Sequence, residues 1–187
     1  LLSHMRKKTY IIAEIGPNHN GSFQMAKKLV EKISKSGADA IKFQLADPDK
    51  VYSLDAFKAN YQKKNDPYKS IKEMSSKYQL TRDQHLKISK LCKKKSLTYL
   101  CSAFDISSLK FLIKNIKIPI VKIPSGEIIS LDILNYLSKS RKKIIISTGM
   151  STLSDIKQAI KILNRNFKKK IILMHCISSY PAEKKSL

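Results

Sequence analysis

The stretch IVKIPSGEIISLDILNYLSKSRKKIIISTGMST, residues 120–152, contains two apolar segments on either side of a segment with helical spacing. Residues 120–124 and 143–148 are short and rich in β-branched side chains, which favours buried strands. Residues 131–139 carry apolar side chains three to four positions apart, as an amphipathic helix does. A strand, a helix and a second strand in this order predict one parallel βαβ unit.

The same alternation extends outward over most of the chain. We predict six strands, at residues 10–15, 40–44, 97–103, 120–124, 143–148 and 170–176. We predict five helices between them, at residues 22–36, 81–95, 107–115, 131–139 and 152–164. Ser22, Thr81 and Thr152 precede three of these helices, where their hydroxyl oxygens can accept hydrogen bonds from free amides. This order of elements predicts six βα units around a parallel sheet in an α/β domain.

Residues 45–80 interrupt the alternation, because they separate the second strand from the next clear helix by far more than a usual βα loop. They contain two short amphipathic pieces, near residues 54–61 and 68–78. We interpret the segment as an ordered excursion. A cover over a functional site and a plain surface insertion both remain open, since long loops after strands often carry function in α/β proteins.

Length and composition exclude several classes of protein. A chain of 187 residues with 42% hydrophobic residues suits one globular domain with a buried core. Its apolar runs are far too short to cross a membrane. The net charge of +23 would favour nucleic-acid binding, but the cations are spread along the chain and are nearly all Lys, so arginine readout of bases is scarce. We therefore predict neither a membrane nor a nucleic-acid partner.

The chain start and the cysteines bear on processing and compartment. Residues 1–5 lack a secretory signal pattern, and we interpret them as a cloning remnant outside a domain at 6–187. Cys92, Cys101 and Cys176 are odd in number and lack CxxC spacing. These features predict free thiols in a reducing compartment and hence a cytoplasmic protein. We expect Cys101 and Cys176 to pack in the core.

Polar side chains concentrate where the predicted strands end, which is where parallel α/β proteins carry their sites. Glu14 and Lys42 interrupt apolar strands, so each needs either the other as an ion-pair partner or a ligand, and we favour a ligand. For Ser102, Ser125 and Ser147, a ligand and the nearby backbone are both possible hydrogen-bond partners.

Histidines and glycines near the strand ends have functional and structural readings. His19 and His175 could bind a metal, although a single histidine beside a turn is more often only hydrogen-bonded. We predict that His85 lies on the surface of its helix. Gly126 and Gly149 can either allow a left-handed backbone or expose backbone amides that bind an anion.

The order of these segments resembles one known family. The strings IIAEIGPNHNGS, GADAIKFQ, CSAF, VKIPSGE, IISTGMST and MHCISSYP are similar, in sequence and spacing, to the amino-terminal barrel of the N-acetylneuraminate (sialic acid) synthase family. The similarity runs over residues 10–181 and is weakest over 45–80, and relatives that make legionaminic or pseudaminic acid share these motifs. It implies a TIM-type (β/α)8 barrel, of which about six βα units are present and the carboxyl end is incomplete.

The resemblance also implies an activity. Members of the family are transferases that join phosphoenolpyruvate to an open-chain acylamino sugar, N-acetylmannosamine or a related diacetamido sugar, giving a nonulosonic (sialic-type) acid and phosphate. The implied phosphoenolpyruvate-binding residues are Lys42, Ser102, Lys122, Ser125 and Ser147. The implied sugar-binding residues are Asn18, Gln44 and Tyr180, and the implied catalytic residues are Glu14 and Glu127. Ser178 stands where some relatives carry an Asn that contacts the sugar, so the sugar stays unidentified.

The family further implies a divalent metal, Mn or Mg, with ligands that are not in this chain, and a homodimer in the complete enzyme. We expect this chain to be a shortened form that is inactive alone. Two alternatives stay open: another phosphoenolpyruvate-dependent synthase of keto-sugar acids, and a non-catalytic barrel fragment that serves binding or assembly.

Overall fold

A computed structural model describes residues 9–52 and 70–178. Its strands are β1 (Ile12–Glu14), β2 (Ala40–Leu45), β3 (Thr98–Ala103), β4 (Ile120–Ile123), β5 (Lys143–Ser147) and β6 (Ile171–Met174). They form one sheet in the order β1-β2-β3-β4-β5-β6, and every neighbouring pair is parallel. Sequential parallel order is that of a TIM-type barrel and differs from doubly wound sheets, whose strand order reverses. The predicted fold class is confirmed as part of such a barrel.

The described helices are α1 (Phe23–Ile33), α2 (Pro48–Val51), α3 (Ile71–Tyr78), α4 (Arg82–Lys94), α5 (Ile106–Phe111), α6 (Leu131–Ser138) and α7 (Leu153–Leu163). Ser22, Thr81 and Thr152 are N-caps, as predicted, and their hydroxyl oxygens accept hydrogen bonds from amides of the first turn. These caps determine where α1, α4 and α7 begin.

Two helical regions differ from the prediction. The helix predicted at 107–115 is divided in two: α5 ends at Phe111, and a π-helical turn, Leu112–Ile116, follows directly. This turn ends at Lys117, whose backbone is left-handed with a φ of 60°. In the long connection, α2 is an unpredicted short helix, and α3 corresponds to the piece expected near 68–78. The piece expected near 54–61 lies outside the described residues.

The two faces of the sheet have different roles. Every second side chain along the strands packs with helix residues in a single apolar cluster, and this set includes Ile41, Phe43, Val121 and Ile146. The strand positions between them carry Lys42, Gln44, Ser102, Lys122 and Ser147. Because successive side chains of a strand point to opposite faces, these polar residues lie on the face turned away from the helices. We call this surface the inner face.

The prediction that His85 lies on the surface is wrong. Its side chain is 0% exposed, and its Nδ1 atom lies 2.6 Å from the hydroxyl oxygen of Tyr99. His85 shares one face of α4 with Ile88 and Cys92, three and seven positions later, and both of these are also fully buried. The rotation of the helix against the sheet therefore turns a polar residue inward.

Other expectations have mixed outcomes. Cys101 is buried as predicted, whereas Cys176 is only partly buried, because it follows β6, an edge strand with exposed side chains. Within residues 9–52 and 70–178, none of the helices combines the length and the apolar character that crossing a membrane requires.

Candidate active site

Neighbouring strands bring the polar residues of the inner face together. Gln44 pairs with Ser102 across β2 and β3, and Ser102 pairs with Lys122 across β3 and β4. Glu14 pairs in the same way with Lys42. Residues paired across a parallel ladder point to the same face of the sheet, so these five side chains share one surface. The strand-end pattern in the sequence predicted this grouping.

Glu14 and Lys42 form an ion pair, which is one of the two arrangements that their charges allowed. The Lys42 side chain is 14% exposed and the Glu14 side chain 45%. A β-carbon placed on Gly16 would lie 3.4 Å from Oε1 of Glu14 and 3.6 Å from Nε2 of Gln44, so both side chains converge over this glycine. An anion that contacts Lys42 therefore has to share its ammonium group with Glu14.

Lys122 is a buried cation, with 5% of its surface exposed. Its Nζ donates hydrogen bonds to Oγ of Ser147 at 2.6 Å and to the carbonyl oxygen of Ile123 at 2.9 Å. Burial first, and the positive charge of Lys42 second, lower the pKa of Lys122 to about 8. No carboxylate among the described residues forms an ion pair with it.

Ser102 adds an unsatisfied donor to the same surface. Its Oγ is buried and has no hydrogen-bond partner within the described part of the chain. A buried hydroxyl without a partner costs about 1–3 kcal/mol. The nearby backbone, which was the alternative partner for this serine, does not bind it, so a ligand oxygen on the inner face would satisfy Ser102.

Ser125 and Gly149 join the ends of β4 and β5. The amide of Gly149 donates to Oγ of Ser125 at 3.1 Å, which leaves the Ser125 hydroxyl hydrogen for another acceptor. Neither Gly126 nor Gly149 has a positive φ, so of the two alternatives for these glycines the left-handed backbone does not apply. Gly149 is needed for space instead, because an added β-carbon would lie 2.5 Å from Oγ of Ser178.

Glu127 follows β4 in a 3-10 turn, Ser125–Glu127, and is half-buried. Burial raises its pKa, and the charges of Asp132 and Asp105 raise it further. The hydroxyl of Ser130 donates a hydrogen bond to Oε2 of Glu127 and opposes these effects. Sequence reasoning missed Ser130, although the spacing of three residues along a tight turn brings such a pair to one side.

The three residues expected to bind a sugar are not equally well defined. Gln44 lies on the inner face, partly buried. Asn18 is exposed in the turn after β1, where its side-chain amide donates to the carbonyl oxygen of Ile15 at 2.8 Å. Tyr180 lies outside the described residues.

The histidines do not meet at the inner face. His19 is 2% exposed, and its ring stacks on Phe43, a side chain of the helix-facing cluster, at 6.1 Å between centroids. Its Nδ1 accepts a hydrogen bond from the amide of Gly21, and burial lowers its pKa. His175 is exposed. No group of three or more His, Cys, Asp or Glu side chains suited to a metal ion occurs within residues 9–52 and 70–178.

Comparison with known proteins gives a consistent result. The sequence profile of the NeuB family matches residues 29–187. The chain is 42% identical to N,N'-diacetyllegionaminic acid synthase of Campylobacter jejuni over 181 residues, which cover 94% of the chain and 53% of that enzyme. It is 38% identical to the enzyme of the same description from Legionella pneumophila, covering 92% of the chain and 50% of that protein.

A solved structure shares the fold over nearly the whole chain. The N-acetylneuraminic acid synthetase of Leptospira borgpetersenii, crystallised with citrate, superposes with a TM-score of 0.80 at 27% identity. The match covers 96% of this chain and 57% of that one. The chain thus spans about half the length of the curated relatives that it matches.

Proposed function

The chain belongs to the NeuB family, and we propose that it forms the phosphoenolpyruvate-binding part of an enzyme that condenses this compound with an open-chain acylamino sugar. The products would be a nonulosonic acid and phosphate. Curated relatives are described as synthases of legionaminic, pseudaminic and sialic-type acids, which supports this reaction class. The chain's length relative to these enzymes makes the complete activity a property of the whole protein.

One observation carries the proposal: Lys122 is a buried ammonium group without a carboxylate partner among the described residues. A buried charge is costly unless an opposite charge or several hydrogen bonds compensate for it. Lys122 has two hydrogen bonds, which leaves one N–H for a ligand. An anion bound on the inner face would supply the missing negative charge.

Phosphoenolpyruvate suits this surface because it carries a phosphate and a carboxylate on a small frame. Lys122 and Lys42 would neutralise these groups, and charge-assisted hydrogen bonds of this kind are the stronger ones. The hydroxyls of Ser102, Ser125 and Ser147 would donate to the remaining oxygens. The orphan Oγ of Ser102 and the free hydroxyl hydrogen of Ser125 support these roles.

Two carboxylates would handle protons and sugar hydroxyls. Glu14 lies beside Lys42 and converges with Gln44, so a sugar oriented by Gln44 would lie within its reach. Glu127 lies two residues after Ser125 in the same 3-10 turn, and its pKa is raised, chiefly by burial. A raised pKa brings a carboxylate closer to the range used in general acid–base catalysis. Asn18 and Tyr180 are the further proposed sugar contacts.

A divalent metal, Mn or Mg, is part of the proposal only for the whole protein, where it would activate the sugar aldehyde as a Lewis acid. The described residues offer no fitting set of ligands, so no step performed by this chain is routed through it. Homodimer formation in the complete enzyme and a cytoplasmic location likewise remain predictions.

Titration calorimetry with phosphoenolpyruvate tests the binding role. We expect Lys122→Met to weaken binding by at least about tenfold, because a charge-assisted contact is worth about 1.5–3 kcal/mol. Lys157→Met is the matched control, since it removes the same charge from an exposed position on α7. Unchanged affinity in Lys122→Met, or an equal loss in both variants, would contradict the proposal.

A further inference from the structure

Ser130 lies at the start of α6, where a serine side chain usually caps the helix, but it does not cap this one. It is the N-cap residue of α6, and its hydroxyl makes no capping hydrogen bond. Serine at this position usually accepts a hydrogen bond from an amide two or three residues later. The N-cap residues Ser22 and Ser70 do so in α1 and α3. Ser130 therefore uses its hydroxyl for something else.

That hydroxyl is directed to Glu127. It donates a hydrogen bond to Oε2 of the carboxylate, while the backbone amide of Ser130 donates to the carbonyl oxygen of Glu127 at 3.1 Å. The two residues are thus joined twice across the turn that connects β4 with α6. The role usually taken by the cap passes to Asp132, whose Oδ1 accepts from the amide of Ile133 at 2.7 Å.

We infer that Ser130 is a positioning residue for Glu127: its hydroxyl holds Oε2 and leaves Oε1 for a substrate. Oε1 of Glu127 has no hydrogen-bond partner among the described residues. The inference rests on the proposed function only in so far as Glu127 meets a substrate. The interaction itself exists without one.

The electrostatic surroundings explain why such a donor matters. Glu127 is half-buried, and Asp132 on α6 and Asp105 before α5 face it with negative charge. All three effects favour the protonated acid, and the Ser130 hydrogen bond is the one that favours the carboxylate. A carboxylate that accepts a proton or a sugar hydroxyl has to be ionised first. The Ser130 hydrogen bond to Oε2, together with an Oε1 that has no partner among the described residues, thus suits Glu127 to the role of base or acceptor.

The titration of Glu127 in the ligand-free 187-residue chain tests this directly. Glutamate labelled with 13C at the side-chain carboxyl reports the ionisation by NMR, and Glu127→Gln identifies the signal. We expect Ser130→Ala to move the titration midpoint of Glu127 to higher pH, with about a fivefold fall in its acid dissociation constant. Ser130→Thr retains a hydroxyl and should restore most of the parent value.

Matched variants separate positioning from helix capping. Ser22→Ala removes the same hydroxyl from an N-cap that does cap, so it should lower the thermal unfolding midpoint by about 3 °C and leave the Glu127 titration unchanged. Asp132→Asn removes a facing negative charge and should move the Glu127 midpoint to lower pH. If Ser130→Ala does not fold, Ser130→Gly removes the hydroxyl with a residue that N-caps tolerate.

An unchanged Glu127 midpoint in Ser130→Ala or Ser130→Gly would overturn the inference, as would a loss of thermal stability without any change in titration. Because no ligand takes part, this result is independent of phosphoenolpyruvate binding. A chain that failed to bind phosphoenolpyruvate but showed the shifted titration would refute the proposed function and leave the Ser130 assignment standing.

Discussion

His85 illustrates how much a single buried residue affects the stability of the fold. Its ring is fully buried, Nδ1 contacts the Tyr99 hydroxyl, and Nε2 has no hydrogen-bond partner within the described residues. Burial lowers the pKa of His85 from 6.5 to about 4, and the neighbouring charge of His19 acts in the same direction. Between these pH values the unfolded chain binds a proton that the folded chain does not.

We therefore predict that the free energy of unfolding falls as the pH decreases from 6.5 to 4, by up to about 3 kcal/mol for His85. Urea unfolding at several pH values measures this slope. His85→Gln removes the titration and keeps a polar partner for Tyr99, so its slope should be smaller. A residual slope is expected, because burial also lowers the pKa of His19. His175→Gln, at an exposed position, is the control, and equal slopes in His85→Gln and the parent would contradict the prediction.

At the scale of elements, the loops that follow β4, β5 and β6 meet at Gly149. Its amide binds Ser125, and an added β-carbon would lie 2.5 Å from Oγ of Ser178 and 3.0 Å from Oγ of Ser125. We predict that Gly149→Ala displaces both serines and destabilises the chain by about 1–3 kcal/mol, with weaker phosphoenolpyruvate binding. Chemical unfolding and calorimetry measure the two effects.

Two further variants test the steric cause. Ser178→Ala removes the atom nearest to the added carbon, so combining it with Gly149→Ala should recover part of the lost stability. Gly126→Ala is the matched control, because a β-carbon there would meet nothing within 4 Å and the backbone is not left-handed. Strictly additive effects of Gly149→Ala and Ser178→Ala would argue against the contact.

At the scale of the whole molecule, the described sheet has two edges, β1 and β6. The β6 side chains Ile172, Leu173 and Met174 are 38%, 47% and 37% exposed. Open edges with apolar side chains favour pairing with other chains. We therefore predict that the 187-residue chain self-associates when produced alone. We also predict that it does not release phosphate from phosphoenolpyruvate with manganese and N-acetylmannosamine, because the described residues offer no set of ligands for the metal.

Sedimentation velocity and a phosphate-release assay measure these properties. Leu173→Lys should reduce self-association, because a charge on an edge strand opposes pairing. Leu153→Lys, at an exposed position on α7 that is 74% exposed, is the control and should leave self-association unchanged. A monomeric chain with the turnover of an intact synthase would refute the whole-molecule prediction.

The sequence by itself determined the six strands and the alternation of strands with helices, three of the helix starts and the polar set at the strand ends. These features depend on local periodicity and on short-range capping, which neighbouring residues encode directly. The grouping of Lys42, Ser102 and Lys122 was therefore predictable, because the sequence places them towards the carboxyl ends of strands and a parallel sheet brings these ends to one edge.

Only the tertiary structure decided which side chains meet. The ion pair of Glu14 with Lys42, the burial of Lys122 against Ser147 and the inward rotation of His85 depend on strand register and on how a helix packs on the sheet. The use of Ser130 for Glu127 depends on the path of one turn. Some of these contacts join residues that are distant in sequence, and in others a side chain has two local hydrogen-bond partners of nearly equal energy. In both cases packing and burial determine which contact forms, because local sequence preference does not distinguish between the possibilities.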